Sequence, residues 1–173
     1  MFDARSVSNF FIDRALSEGR ALSVMTLLKV LYFAHAWHLV KYGEPLIGQP
    51  FEAWKFGPVN RVVYDQCKQS DKHAITAKFK SFSIASSGFV ESPYDFNEEL
   101  TKFLGEIFDY YSKFHAYKLS DLTHEAGAPW DVVWRQADSK AVAGMVIPNS
   151  LIRSWFSDQT ALYWTSRERE SPS

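Results

Sequence analysis

Residues 23–64, SVMTLLKVLYFAHAWHLVKYGEPLIGQPFEAWKFGPVNRVVY, decide the fold. The first half, Val24 to Lys41, is apolar almost all round, from Met25, Leu27 and Leu28 to Trp37, Leu39 and Val40. A helix that is apolar on every side must be surrounded by protein. Ser23 supplies an N-cap, Gly43 sits just past the end, and Lys41 occupies the last turn. Lys29, His35 and His38 interrupt the run, which is too short to span a bilayer. The stretch therefore predicts the buried central helix of a helical bundle. The second half breaks at Glu44-Pro45 and Gln49-Pro50. Phe51 to Phe56 is aromatic and strand-like. Gly57-Pro58 then predicts a new helix, with Pro58 at its first position. That helix carries Val59, Val62, Val63 and Tyr64 and is expected to end near Ser70-Asp71.

Upstream, residues 3–18 read as an amphipathic helix. Val7, Phe10, Phe11 and Ala15, with Ile12 and Leu16 alongside, form its apolar face, Asp3 is its cap and Gly19 its stop. Downstream, Ile75, Ala77 and Phe79 alternate with polar residues, and Phe82 and Ile84 continue the alternation. A second strand over 75–84, paired with 51–56, is the expectation, with Ser86-Ser87-Gly88 and Ser92-Pro93 as loops. Residues 96–114 form the clearest amphipathic helix, with Leu100, Phe103, Leu104, Ile107, Phe108, Tyr111 and Phe114 three and four apart. Asp95 or Asn97 caps it, and Glu98-Glu99 suit the positive end of its dipole. A short helix capped by Ser120 ends at Gly127, and Pro129 begins another. Residues 144–148 are extended, and Asn149 or Ser150 caps a last helix through Trp155 and Phe156. From Ser166 a polar tail, SRERESPS, is expected to be disordered.

These segments predict a mainly α, compact single-domain bundle of about six helices around a buried central helix, with a small β-hairpin-like element. The domain covers residues 1–165 and the tail 166–173. A chain of 173 residues suits one domain, and 46% hydrophobic content readily supplies a core. A net charge of −1 and a pI near 6.5 argue against a general nucleic-acid binder. Cys67 is the single cysteine, so no internal disulfide forms. The N-terminus, MFDARSVSNFF, lacks the layout of a signal peptide, and a cytoplasmic protein without membrane attachment is the expectation.

The motifs offer little chemistry. No Walker A, GxGxxG or GxSxG sequence occurs. His35 and His38 could turn two imidazoles to a metal, but no acidic or cysteine ligand is placed to complete the site, and a core role outweighs it. His124 and Glu125 are adjacent, so they point apart on a helix and make no ready dyad. Cys67 has no nucleophile elbow around it and reads as a small buried residue. Lys29 reads as a helix-edge residue with a snorkelling stem rather than a catalytic lysine. No cofactor, metal site or catalytic residue is expected.

Several short runs recur in a recognisable order. They are Leu28-Lys29-Val30-Leu31-Tyr32-Phe33-Ala34, Trp37, Gly43-Glu44-Pro45-Leu46, Phe51-Glu52-Ala53-Trp54, Gly57-Pro58-Val59 and Tyr64. Leu119-Ser120-Asp121-Leu122-Thr123-His124 with Trp130 follows, and then Ile147-Pro148 leading to Trp155-Phe156. Together they resemble the Panacea antitoxin domain family, which includes SocA-like and phage-associated GepA-like proteins. The resemblance covers residues 5–160. It implies an antitoxin that neutralises a cognate toxin, encoded in the same operon, by direct contact and without a reaction of its own. The alternative it carries is a proteolytic adaptor that delivers the toxin to a protease. An enzyme using His124 and Glu125 is a distant third.

The resemblance also distributes roles. Leu28, Leu31, Tyr32 and Trp37 read as core, and Gly57 and Pro58 as setters of backbone geometry. His124 is expected to hydrogen-bond a neighbour and to lock its helix against Trp130. Residues 72–94 follow no family motif, so partner choice is expected there. The leading candidate for a partner surface is Phe51–Phe56, as an exposed strand edge at Trp54, Lys55 and Phe56 with Lys78 and Lys80 as its basic rim, and the alternative is that one set of its aromatic side chains lies beneath a neighbouring helix.

Overall fold

Helix α2 (Val24–Tyr42) runs through the middle of the molecule, and every residue from Leu27 to Trp37 is buried. The computed structural model describes residues 1–68, 74–137 and 145–170, with side chains through Gln159. Ser23 Oγ accepts the Thr26 amide at 3.1 Å, and Gly43 ends α2 with a φ of 75°. The predicted caps are thus the observed ones.

Around α2 lie α1 (Ala4–Ser17), α3 (Arg61–Cys67), α4 (Glu98–Tyr111), α5 (Ala116–Thr123) and α7 (Asn149–Glu170). Helix α6 (Pro129–Gln136) packs on α5, α7 and the first strand. The fold is mainly α, with seven helices among the described residues. Aromatic contacts fix the inner layer. Phe33 stacks on Tyr111 with centroids 4.1 Å apart, Tyr32 meets Phe51 edge-on at 5.4 Å, and Trp37 meets Phe156 edge-on at 5.1 Å. The Trp37 indole N–H also donates to the Tyr111 hydroxyl at 2.7 Å.

Among the described residues two antiparallel two-stranded sheets complete the fold. Strand β1 (Phe51–Trp54) pairs with β2 (Gly57–Asn60), and β3 (Lys80–Ser83) pairs with β4 (Gly88–Glu91). The expected pairing of 51–56 with 75–84 is therefore corrected: each segment closes a hairpin with its own sequence neighbour. Local closure is the shorter route, because Lys55-Phe56 and residues 84–87 bring adjacent segments face to face. The predicted helix at Pro58 is corrected too. Gly57 has a φ of 102°, residues 57–60 extend along β1, and Asn60 caps α3 through its Oδ1. The expected end of that helix at Ser70-Asp71 lies outside the described residues.

Smaller boundaries also moved. His115, not Ser120, caps α5, so Ser120 lies inside the helix, and His124 sits at its C-cap. Asn149 begins α7 instead of capping it and turns its side chain to His35. Leu16 is 47% exposed and leaves the apolar face of α1. Helix α7 reaches Glu170, past the expected start of the tail at Ser166, and residues 171–173 lie outside the described residues.

One buried polar residue organises the second hairpin. Asn9 on α1 is fully buried. Its amide donates to the carbonyls of Phe79 and Ser92 at 2.9 Å each, and its Oδ1 accepts the Phe79 N–H at 2.7 Å. The side chain thus imitates a strand neighbour at the base of β3–β4, while the hairpin beyond it projects outward. Leu31 is fully buried on α2, so truncation there opens a cavity that the surrounding elements cannot close. Leu31→Ala is expected to cost roughly 2–5 kcal/mol in urea unfolding. A parent-like transition midpoint would contradict the central position of α2.

Candidate functional site

The turn between β1 and β2 is tethered from three helices. Trp54 pairs with Gly57 across the hairpin, and Lys55 and Phe56 form its tip. Three side chains from three different helices hold alternate carbonyls of this segment. The Trp130 indole N–H from α6 donates to the Trp54 carbonyl at 2.7 Å. The Ser120 hydroxyl from α5 donates to the Phe56 carbonyl at 3.0 Å. Lys29 Nζ from α2 donates to the Pro58 carbonyl at 3.0 Å. Gly57 closes the loop where no side chain fits. A Cβ there would lie 2.6 Å from both Lys29 Nζ and Thr123 Oγ1.

The sequence motifs therefore converge in space. Lys29, Gly57, Pro58, Ser120, Thr123, His124 and Trp130 surround one turn, although they span about a hundred residues of chain. Lys29 is the central correction. It is 2% exposed and does not snorkel from a helix edge. Its neighbours on α2 are buried on both sides, so the stem has no route to water, and the amine finds a carbonyl instead. Burial pushes its pKa down to about 7. Thr123 lies beside it and donates its hydroxyl to the Ser120 carbonyl at 2.7 Å.

His124 stacks on Trp130 with centroids 3.8 Å apart, as the packing expectation required. The expected hydrogen bond is not made at His124 Nε2, which is buried without a partner among the described residues. Burial, and then the charge of Lys29, lower its pKa. Glu125 lies beyond the helix and is exposed, so the two form no dyad. Leu28, Tyr32 and Trp37 are core residues. The rings of His35 and His38 are committed separately. His35 Nδ1 accepts the Ile47 N–H at 3.3 Å, so its Nε2 carries the proton and donates to Asn149 Oδ1 at 2.9 Å. Burial pushes that imidazole down to about 4. His38 Nδ1 lies 2.7 Å from the Glu44 carbonyl. Among the described residues no group of three or more His, Cys, Asp and Glu side chains could hold a metal ion. Cys67 is buried, which pushes its thiol up to about 12 and removes the thiolate a nucleophile needs.

The expected strand edge is also corrected. Both sides of β1 are occupied, by β2 on one and by residues 145–147 on the other. The Ala53 N–H donates to the Met145 carbonyl at 2.8 Å, and the Ile147 N–H donates to the Phe51 carbonyl at 2.8 Å. What remains open is the tip. Lys55 is exposed and Phe56 is 58% exposed, while Trp54 is half-buried against Tyr64. Lys78 is not a free rim charge, because Asp13 and Glu91 hold it at 3.5 and 3.0 Å. Lys80 is exposed at the start of β3, where its N–H donates to Gln66 of α3.

Beside the tip lies a groove of about 870 Å3, walled by Leu28, Trp54, Val59 and Tyr64 and reaching Ser23 on α2 and Tyr117 on α5. Sequence reasoning missed it, since its walls come from five separate elements. The one local signal was Lys29, a lysine inside an otherwise unbroken apolar run, which needs a buried acceptor.

The fold and the converged motifs define a helical domain that rigidly presents a turn and a neighbouring groove. The chain matches the family described as "Antitoxin SocA-like, Panacea domain" over residues 27–131. It is also 33% identical over 159 residues to "Antitoxin SocA" of Caulobacter vibrioides (strain NA1000 / CB15N), covering 89% of this chain and 82% of that protein. The chain therefore belongs to the SocA-like, Panacea-domain antitoxin family, which supports an antitoxin role in a toxin–antitoxin system. No solved structure matches it significantly. Among the described residues no helix is long and apolar enough to cross a membrane.

Two outcomes test this geometry. Gly57→Ala forces a side chain into a positive φ and against Lys29 and Thr123, and is expected to destabilise by at least about 1–3 kcal/mol. Gly88→Ala, whose Cβ would find its nearest neighbour at 3.7 Å, is expected to be tolerated in the same thermal melts. The second outcome concerns pH. The folded pKa of Lys29 lies below its unfolded value of 10.5, so the unfolded chain binds the extra proton between about pH 7 and 10. Stability therefore rises with pH across that window. Urea unfolding of the parent and Lys29→Met at pH 7, 8 and 9 is expected to show a rising difference in favour of the parent. Parallel curves would mean that Lys29 titrates as it does in water.

Proposed function

We propose that this chain neutralises a cognate toxin, encoded in the same operon, by direct protein–protein contact. Family membership supplies the class. The observation that carries the contact reading is the tethered turn, which holds an exposed aromatic ring, Phe56, on backbone fixed by Trp130, Ser120 and Lys29. An aromatic anchor held in place before binding loses little freedom on docking, which is the property of interface hot spots. Trp54, Lys55 and Phe56 form the centre of this proposed surface, and Lys80 belongs to its rim.

The β3–β4 hairpin supports the same reading from the side without a family motif. Phe82, Ile84 and Phe89 are 60, 88 and 69% exposed, and Phe82 packs edge-on against Phe89 at 5.7 Å. Exposed apolar side chains grouped on one projecting element suit a partner-contacting surface.

The experiment is co-expression with the adjacent toxin gene, read as growth rescue, toxin level and affinity. Phe56→Ala is expected to melt like the parent, because Phe56 contributes little to the core. It is expected to lose about 2 kcal/mol or more of binding and to stop protecting cells. A folded variant with full protection would remove the turn from the interface. Unchanged toxin levels during rescue support masking, whereas levels that fall only when a cellular protease is present support the adaptor alternative.

A further inference from the structure

We infer that the groove beside the turn docks an apolar segment of the partner protein that carries carboxylates, an assignment that rests on the antitoxin reading for the identity of the partner. Its volume of about 870 Å3 lies in the range of built ligand sites. Leu28, Val59 and Tyr64 give it apolar walls, and Phe56 and Tyr117, 58 and 68% exposed, flank its mouth. Such walls call for apolar side chains in the occupant.

Among the described residues the charged side chains that line these walls are all lysines. Lys29, Lys55 and Lys68 line the groove, His115 lines it as the cap of α5 with its Nδ1 accepting the Tyr117 N–H, and among the described residues no aspartate or glutamate does. Lys29 is at the buried end, held by the Pro58 carbonyl. Lys55 and Lys68 are exposed, and Lys55 makes no salt bridge among the described residues. Lys68 is paired with Asp65 at 2.6 Å, but that pair is solvent-exposed and easily exchanged. The N-terminal turns of α2 and α5 both reach the groove, and neither contains an acidic residue, so the positive ends of both helix dipoles add to the lysines. A neutral apolar occupant would strip water from Lys55 and Lys68 without replacing it, and a cationic one would be repelled. A segment with carboxylates answers them while its apolar side chains fill the walls. The mostly apolar lining and the chain's net charge of −1 favour a protein segment over nucleic acid.

The test has two arms, and the first needs no toxin. The full chain is titrated with dodecanoate and with dodecyltrimethylammonium below their micellar concentrations, alongside the double variant Lys55→Glu/Lys68→Glu. The parent is expected to prefer the carboxylate by about tenfold or more, and the double variant to lose that preference. Equal binding of the two probes, binding of neither, or tighter binding of oligo(dT) than of dodecanoate overturns the groove's assigned chemistry. In the second arm the toxin is titrated into the parent, the double variant and Lys102→Glu, which alters an exposed charge on α4. Thermal melts confirm that each is folded. The double variant is expected to bind about tenfold or more weakly and to lose the parent's salt dependence, with Lys102→Glu unchanged. Parent-like binding by the double variant overturns the docking. A parent that binds no toxin instead overturns the antitoxin reading, and the first arm then decides the groove's chemistry by itself.

Discussion

A helix segment with no solvent-facing side, such as Leu27–Trp37 of α2, has to answer its polar groups inside the protein. At Lys29, His35 and Trp37 each answer positions another element. Lys29 reaches the Pro58 carbonyl and fixes β2. His35 bridges the Ile47 amide and Asn149, joining the loop before β1 to the start of α7. Trp37 donates to Tyr111 and fixes the end of α4. An unmade bond at any of these buried sites would cost the full desolvation of the orphaned group, so the three contacts restrict how the outer helices can pack.

The Lys29 contact has the widest consequence. It is one of three donors that hold the carbonyls of Trp54, Phe56 and Pro58, which leaves the intervening turn little freedom. Glycine at position 57 follows from the same crowding, because the positive φ and the nearby amine and hydroxyl leave no space for a Cβ. A rigid turn is a sound base for an anchor residue, and Phe56 occupies that place. The β3–β4 hairpin is built differently. Asn9 secures its base, and its outer residues are exposed, so its side chains can change without disturbing the core.

This division fits a family of antitoxins whose members share a domain. The elements that carry the ordered motifs form the core and the tethered turn, whereas the projecting hairpin carries no recognised motif. Partner-facing variation is tolerated best where few buried bonds depend on the side chain.

By itself the sequence determined the mainly α class, the buried central helix with its caps, the amphipathic face of α4 and the family. Those features rest on local periodicity, on capping chemistry and on motifs that keep their order along the chain. It did not determine which strands pair. Residues 75–84 alternate as 51–56 do, and alternation defines a strand without naming its neighbour. Nor did it distinguish the two readings of Gly57-Pro58, since a proline at a helix start and a proline in a short strand look alike until the pairing is known. Only the tertiary structure buried Lys29, because a lysine in an apolar run can snorkel or find an acceptor, and the neighbours packed around α2 decide which. Only the tertiary structure brought Trp130, Ser120 and Lys29 to one turn and opened the groove beside it. Those contacts join residues far apart in the chain, and their geometry is set by how the helices pack.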